Sequence, residues 1–238
     1  VGDLPSAKLL VTAGANVNDI NAWGVSATVL ATHSGYVELV EYLLEHGADP
    51  NLANAGFGAL HAAVMRRDKR LVAALLTHGA DPNITLETWT PTRRSSRDYN
   101  FSPSLVGATP FWLAARFAQP DLMVLLAEYG ADPFFVHDLE YTPDSLAGSR
   151  AGTIREATTT LMAAVGMGGR RRLRTWVPPD LNQIETQVLE SVKLIIDLGA
   201  AVNAANVDGR TALDGATALG YESVIDFLVE HGAQPGSI

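Results

Sequence analysis

The chain has 238 residues, of which 47% are hydrophobic and 18% charged, and its 26 acidic and 17 basic side chains leave a formal net charge of −9. That balance excludes a general affinity for nucleic acid, whose phosphates require a positive footprint, and no apolar stretch reaches the roughly 18 to 20 residues of a membrane-spanning helix. The sequence contains no cysteine, so disulfides, thiolate catalysis and zinc-thiolate sites are excluded while the compartment stays open.

Taken in chain order, the predicted elements repeat. Residues 1–18 read as one helix followed by a tail, Ala7-Lys8-Leu9-Leu10-Val11-Thr12-Ala13-Gly14-Ala15-Asn16-Val17-Asn18. A short helix through Ser26 to Ala31 follows, then Gly35-Tyr36, then a longer helix from Val37 to Glu45 that ends in Gly47-Ala48-Asp49-Pro50-Asn51. In that longer helix Val37, Val40, Leu43 and Leu44 share one face while Glu38, Glu41 and Glu45 take the other, which is the pattern of a helix that needs a neighbour to cover it. The glycine after it suits a left-handed helix terminus, and Asp-Pro keeps the helix from resuming.

The same phrase returns at Gly79-Ala80, Gly130-Ala131, Gly199-Ala200 and Gly232-Ala233, at glycine separations of 33, 32, 51, 69 and 33 counted from Gly14. Three intervals give a period of about 33 residues and two give that period plus inserted sequence. Leu60-His61-Ala62-Ala63, Thr109-Pro110-Phe111-Trp112-Leu113-Ala114-Ala115 and Gly209-Arg210-Thr211-Ala212-Leu213 open further units.

These coincident motifs resemble the ankyrin repeat family over nearly all of the chain outside the insertions. The resemblance implies an all-α solenoid of stacked helix-turn-helix units with hairpin-like fingers, in one elongated domain. The expected divisions are a partial repeat at 1–18, repeats at 19–51 and 52–83, a repeat at 84–133 with a finger insertion, one at 134–203 with two insertions, and a last repeat at 204–238. Because residues 1–18 read as only the second half of a repeat, the observed start is expected to lie inside a larger protein. Resemblance to bacterial ankyrin proteins further implies a periplasmic or extracellular location if a signal lies upstream.

Three insertions mark where this chain departs from a plain array: Glu87 to Leu105, Phe134 to Thr158, and the stretch from Gly166 to Pro179 between the two helices of the fifth repeat. Long inserted loops are commonly functional. The first carries Trp89, Arg93, Arg94, Arg97, Tyr99 and Phe101; the third carries Arg170, Arg171, Arg172, Arg174 and Trp176. Arginine and aromatic residues are the types enriched at interface hot spots. Aromatics in such loops also serve to pin the loop to its scaffold, and a short run of arginines also serves as a solvated surface.

The exposed positions of the short helices define an inner groove, and its expected apolar stripe runs through Leu30, Met65, Leu113 and Phe117, with Arg116 beside it. Either a partner or the chain's own insertions must cover that stripe, and a protein partner is the expected occupant. His46, His61, His78 and His231 occupy repeat positions, whereas His33 and His137 lie outside them with no metal-ligand spacing. No metal or cofactor is assigned. The chain shows neither a Gly-x-Ser-x-Gly elbow nor a His-Glu-x-x-His pair, so catalysis is not expected from these residues. The expected function is a non-catalytic protein-interaction scaffold. A structural subunit of a larger assembly and an accessory domain of a longer enzyme or redox protein are the alternatives.

Overall fold

The computed structural model describes residues 2–89, 100–141, 153–169 and 175–237. Among these, eleven α-helices form two rows. The inner row holds the short helices α2 (Ala27–Ser34), α4 (Ala59–Met65), α6 (Pro110–Arg116), α8 (Thr160–Ala164) and α10 (Ala212–Leu219). The outer row holds α1 (Leu4–Thr12), α3 (Val37–Glu45), α5 (Lys69–Thr77), α7 (Pro120–Glu128), α9 (Ile184–Asp197) and α11 (Glu222–Glu230). Each helix packs on its partner within a unit and on the equivalent helix of the next unit, so the two rows run side by side through the molecule.

Side-chain caps fix where the inner helices start. Ser26, Thr109 and Thr159 each accept the backbone N–H three residues on, and Thr211 with Asp214 forms a reciprocal capping box on α10. Such caps satisfy donors that a short helix otherwise leaves orphaned. On α4 the cap is Gly58, whose N–H donates to Nδ1 of His61 at 3.2 Å, while the other ring nitrogen of His61 meets the carbonyl of Ile84 at 3.1 Å. The ring is therefore neutral, with Nε2 protonated, and burial pulls its pKa down from 6.5 to about 4.

Successive fingers are joined by an asparagine ladder. Asn18 donates to the carbonyl of Gly47 at 3.0 Å and accepts the N–H of Asp49 at 2.7 Å. Asn51 spans in the same way to Gly79 and Asp81, Asn83 to Gly130 and Asp132, and Asn203 to Gly232 and Gln234. At the equivalent place in the fourth unit the residue is Phe134, and the rung is missing there. In its place the hydroxyl of Thr160 donates to the carbonyl of Pro133.

That gap coincides with the second insertion, which forms an antiparallel hairpin of β1 (Val136–Tyr141) and β2 (Ile154–Thr159). Its alternating pattern places His137 and Thr158 inward and Val136, Asp138, Glu140 and Arg155 outward, as expected for a ribbon with one solvated face. His137 lies against Trp112 with ring centroids 4.4 Å apart, and its Nε2 donates to the carbonyl of Val106 at 2.7 Å. Desolvation holds its pKa below the ordinary value. This histidine, outside the repeat pattern, anchors the hairpin.

Arg67 and Ala118 adopt positive φ of 58° and 49° at the inter-helix turn where the second and sixth units place Gly35 and Gly220. A non-glycine residue in that conformation costs roughly 1 to 2 kcal/mol. Arg67 offsets the cost by donating to the carbonyls of Phe117 and Ala118 at 2.9 and 3.4 Å and to Oε1 of Gln187 at 3.1 Å. It thereby caps the end of α6 and ties the third unit to α9.

Candidate partner-binding surface

In the N-terminal half the fingers stack closely enough to form a ridge. Asn21 accepts the N–H groups of Trp23 and Val25 and so closes a tight turn that lifts Trp23 outward. Gly24, at φ 75°, lies where a Cβ would come within 2.7 Å of the Asn54 carbonyl oxygen. Gly56, at φ 83°, likewise leaves no room between itself and Thr88, and its carbonyl accepts the N–H groups of Glu87 and Thr88 at 2.8 and 3.3 Å. The ridge therefore runs from Trp23 over 54–56 to Thr88 and Trp89. Trp23 is 69% exposed and Trp89 38%. On α2, Leu30 is 48% exposed.

Deeper in the groove the arrangement differs from the sequence expectation. Met65 and Leu113 are fully buried and Phe117 nearly so. Described residues of the third insertion lie against the ends of α4 and α6. Trp176 donates its backbone N–H to the carbonyl of Met65 at 2.8 Å and its indole N–H to the carbonyl of Asn100 at 3.4 Å. Its ring lies 4.7 Å from that of His33 and 5.2 Å from that of Phe101. Phe101, from the first insertion, is itself only 1% exposed and packs on Phe57 and His61. Two insertions far apart in sequence thus meet through one aromatic cluster.

The expectation of a surface role is corrected for five residues. Met65, Leu113, Phe117, Phe101 and Trp176 are interior residues of the folded chain, because the insertions supply the apolar cover that an outside partner would otherwise provide. Arg116 is half-buried, with Nε donating to the carbonyl of Gly168 at 2.7 Å. Leu30 and Trp89 remain accessible. Arg93, Arg94, Arg97, Tyr99, Arg170, Arg171, Arg172 and Arg174 lie outside the described residues.

Trp23 is the surface residue that sequence reasoning missed, and a signal for it existed. Asn-x-x-Gly closes a polar finger turn, so a tryptophan at its tip has no core to enter. The histidines at the ends of α3, α5 and α11 each bond through Nδ1 to the carbonyl four residues earlier, at 2.7 to 2.8 Å, and so terminate helices. Among the described residues no three metal-ligating groups converge, and no helix is long and apolar enough to cross a membrane.

Two stacked rows of short helices with projecting fingers define a helical-repeat solenoid. Residues 1–85 match the family model of ankyrin repeats, in three copies, and over almost the whole chain the fold is that of ankyrin repeat proteins of known structure. The ankyrin repeat protein EF0377 is 23% identical with a TM-score of 0.64, covering 96% of this chain and 92% of that one. An ankyrin repeat domain from Acinetobacter baumannii AYE is 21% identical with a TM-score of 0.66, covering 98% and 94%. A stretch of 83 residues is 37% identical to palmitoyltransferase AKR1 of Lachancea kluyveri, and this is 33% of the present chain but only 11% of that protein. The transferase designation belongs to that longer protein. Ankyrin repeats as a class mediate protein–protein contact through extended surfaces and are typically non-catalytic.

Proposed function

We propose that the chain is a non-catalytic scaffold that binds a partner protein along its N-terminal finger ridge, with Trp23, Leu30 and Trp89 as anchors. The observation that carries this reading is exposure. Three large apolar side chains are exposed on stacked fingers and the adjoining inner helix, although the fold buries Ala62 and Leu113, the equivalents of Leu30, further along. Tryptophan at such a place supplies contact area at little conformational cost, and the fingers beneath it are held by backbone hydrogen bonds and close glycine contacts. The deep groove contributes little to this surface, since Trp176 and Phe101 occupy it. The first insertion continues from Trp89, so its arginines and Tyr99 are further candidates for contact with the same partner.

The test is cross-linking mass spectrometry on native material, comparing the wild-type chain with a variant carrying Trp23→Ala, Leu30→Arg and Trp89→Ala. A companion protein cross-linked near these fingers, and lost in the variant at unchanged melting temperature, is the expected result. A companion retained by the folded variant, or cross-linked only to the C-terminal units, would overturn the assignment.

A further inference from the structure

The C-terminal half contains a cavity of about 480 Å³ between the inner helices and the third insertion. Its walls include Phe117, Ala164, Pro178, Ile184, Val188 and Leu219, and Arg116 is the one charged side chain among the lining residues described. Sites for small ligands typically measure about 300 to 1,000 Å³, with mostly apolar walls and a few placed polar groups.

Arg116 is the unusual component. A guanidinium carries five N–H donors in a planar fork, and among the described residues only the carbonyl of Gly168 accepts from it, through Nε. Its charge is enclosed enough that desolvation draws its pKa down to about 10, with Glu156 acting against that shift; it remains a cation at neutral pH. The Arg116 side chain lines the cavity, and its terminal nitrogens are not among the fully buried unpaired groups. A charge in apolar surroundings is favourable only with a counter-ion and satisfied donors, and the guanidinium fork matches a carboxylate in bidentate geometry.

We propose that this cavity binds a small aliphatic carboxylic acid, its carboxylate on the terminal nitrogens of Arg116 and its chain against Phe117, Ile184, Val188 and Leu219. The volume suits an acid of about ten carbons. Such a ligand would replace water at the guanidinium and bury its tail beside the prolines of the insertion. This site is separate from the finger ridge, so either assignment can fail without the other.

The test is calorimetric titration of the full chain with decanoate, decanol and decylamine below their aggregation concentrations. Decanoate is expected to bind once and saturably, at least about tenfold tighter than decanol, with decylamine weaker still. Arg116→Met should remove that tenfold preference while leaving decanol affinity unchanged, and Arg116→Lys should restore part of it. Equal affinity for the three head groups, non-saturable uptake, or no heat of binding to the folded wild type overturns the proposal. If Arg116→Met does not fold, the head-group comparison in the wild type decides alone.

Discussion

His61 places both ring nitrogens in hydrogen bonds inside the core, and this gives the fold a dependence on acidity. Its folded pKa of about 4 lies below its unfolded value of 6.5, so between these limits the unfolded chain takes up the proton that the folded chain refuses. The contribution is therefore complete above pH 6.5 and lost as pH falls to about 4, a loss of about 3 kcal/mol by the pKa difference. Burial shifts His137 in the same direction. Unfolding free energies measured by denaturant between pH 7.5 and 4 should fall along this window, and the slope should flatten in His61→Gln. At Leu43 the expectation is purely one of packing: this residue is buried on α3, and Leu43→Ala should cost about 2 to 5 kcal/mol. A negligible loss in chemical denaturation would show that its place in the repeat is misassigned. The position of Leu43 could be read from helical periodicity because burial there is set by the nearest neighbours. The burial of Met65 and Leu113 could not, because periodicity gives the direction a side chain faces and says nothing of which distant segment lies across it.

At the scale of elements, the ladder asparagines give each finger two bonds to the next. Asn51→Ala removes a donor bond to Gly79 and an acceptor bond from Asp81, and should destabilise by about 1 to 3 kcal/mol at roughly 1 kcal/mol for each bond. Calorimetric melting of Asn51→Ala beside Asn51→Asp, which keeps the acceptor oxygen, separates the two contributions. Recovery of no stability in Asn51→Asp would show that the acceptor bond contributes nothing. The Gly-Ala-x-x-Asn spacing made four of these rungs traceable in sequence, and Phe134 marked the position of the fifth. What filled that gap was less legible. The hairpin of Val136–Tyr141 with Ile154–Thr159 alternates polar and apolar residues as a strand pair does, yet it lies within a helical repeat pattern that draws attention away from period two. Likewise, aromatics in the first and third insertions could be read either as interface anchors or as pins, and Phe101 and Trp176 prove to be pins because they meet each other.

For the whole molecule, the repeat period conveyed the architecture because each unit is specified by contacts local in sequence. The candidate surface was only partly legible: Leu30 and Trp89 were identified and remain accessible, while Trp23 emerged from the finger geometry. The cavity beside Arg116 could not be read from sequence, since its walls come from α6, α8, α9, α10 and the third insertion, and their convergence depends on where the insertion lies against the helices.

The contact of the third insertion with α4 has a wider consequence for how the array holds together. An ordinary solenoid behaves as a line of beads in which each unit senses only the next, so disturbance at one end fades along the row. Here Trp176, supplied between α8 and α9, bonds to the end of α4, and Arg67 reaches from the turn beyond α4 to α9. The line is closed into a circuit. Trp176→Ala should cost about 3 to 5 kcal/mol, and native-state hydrogen exchange should quicken in α4 as well as around the insertion. Quickening confined to the insertion would mean that the circuit carries no coupling. With the circuit intact, the middle units open together, and shortening the chain from its C-terminal side loosens helices that a linear array would have left undisturbed.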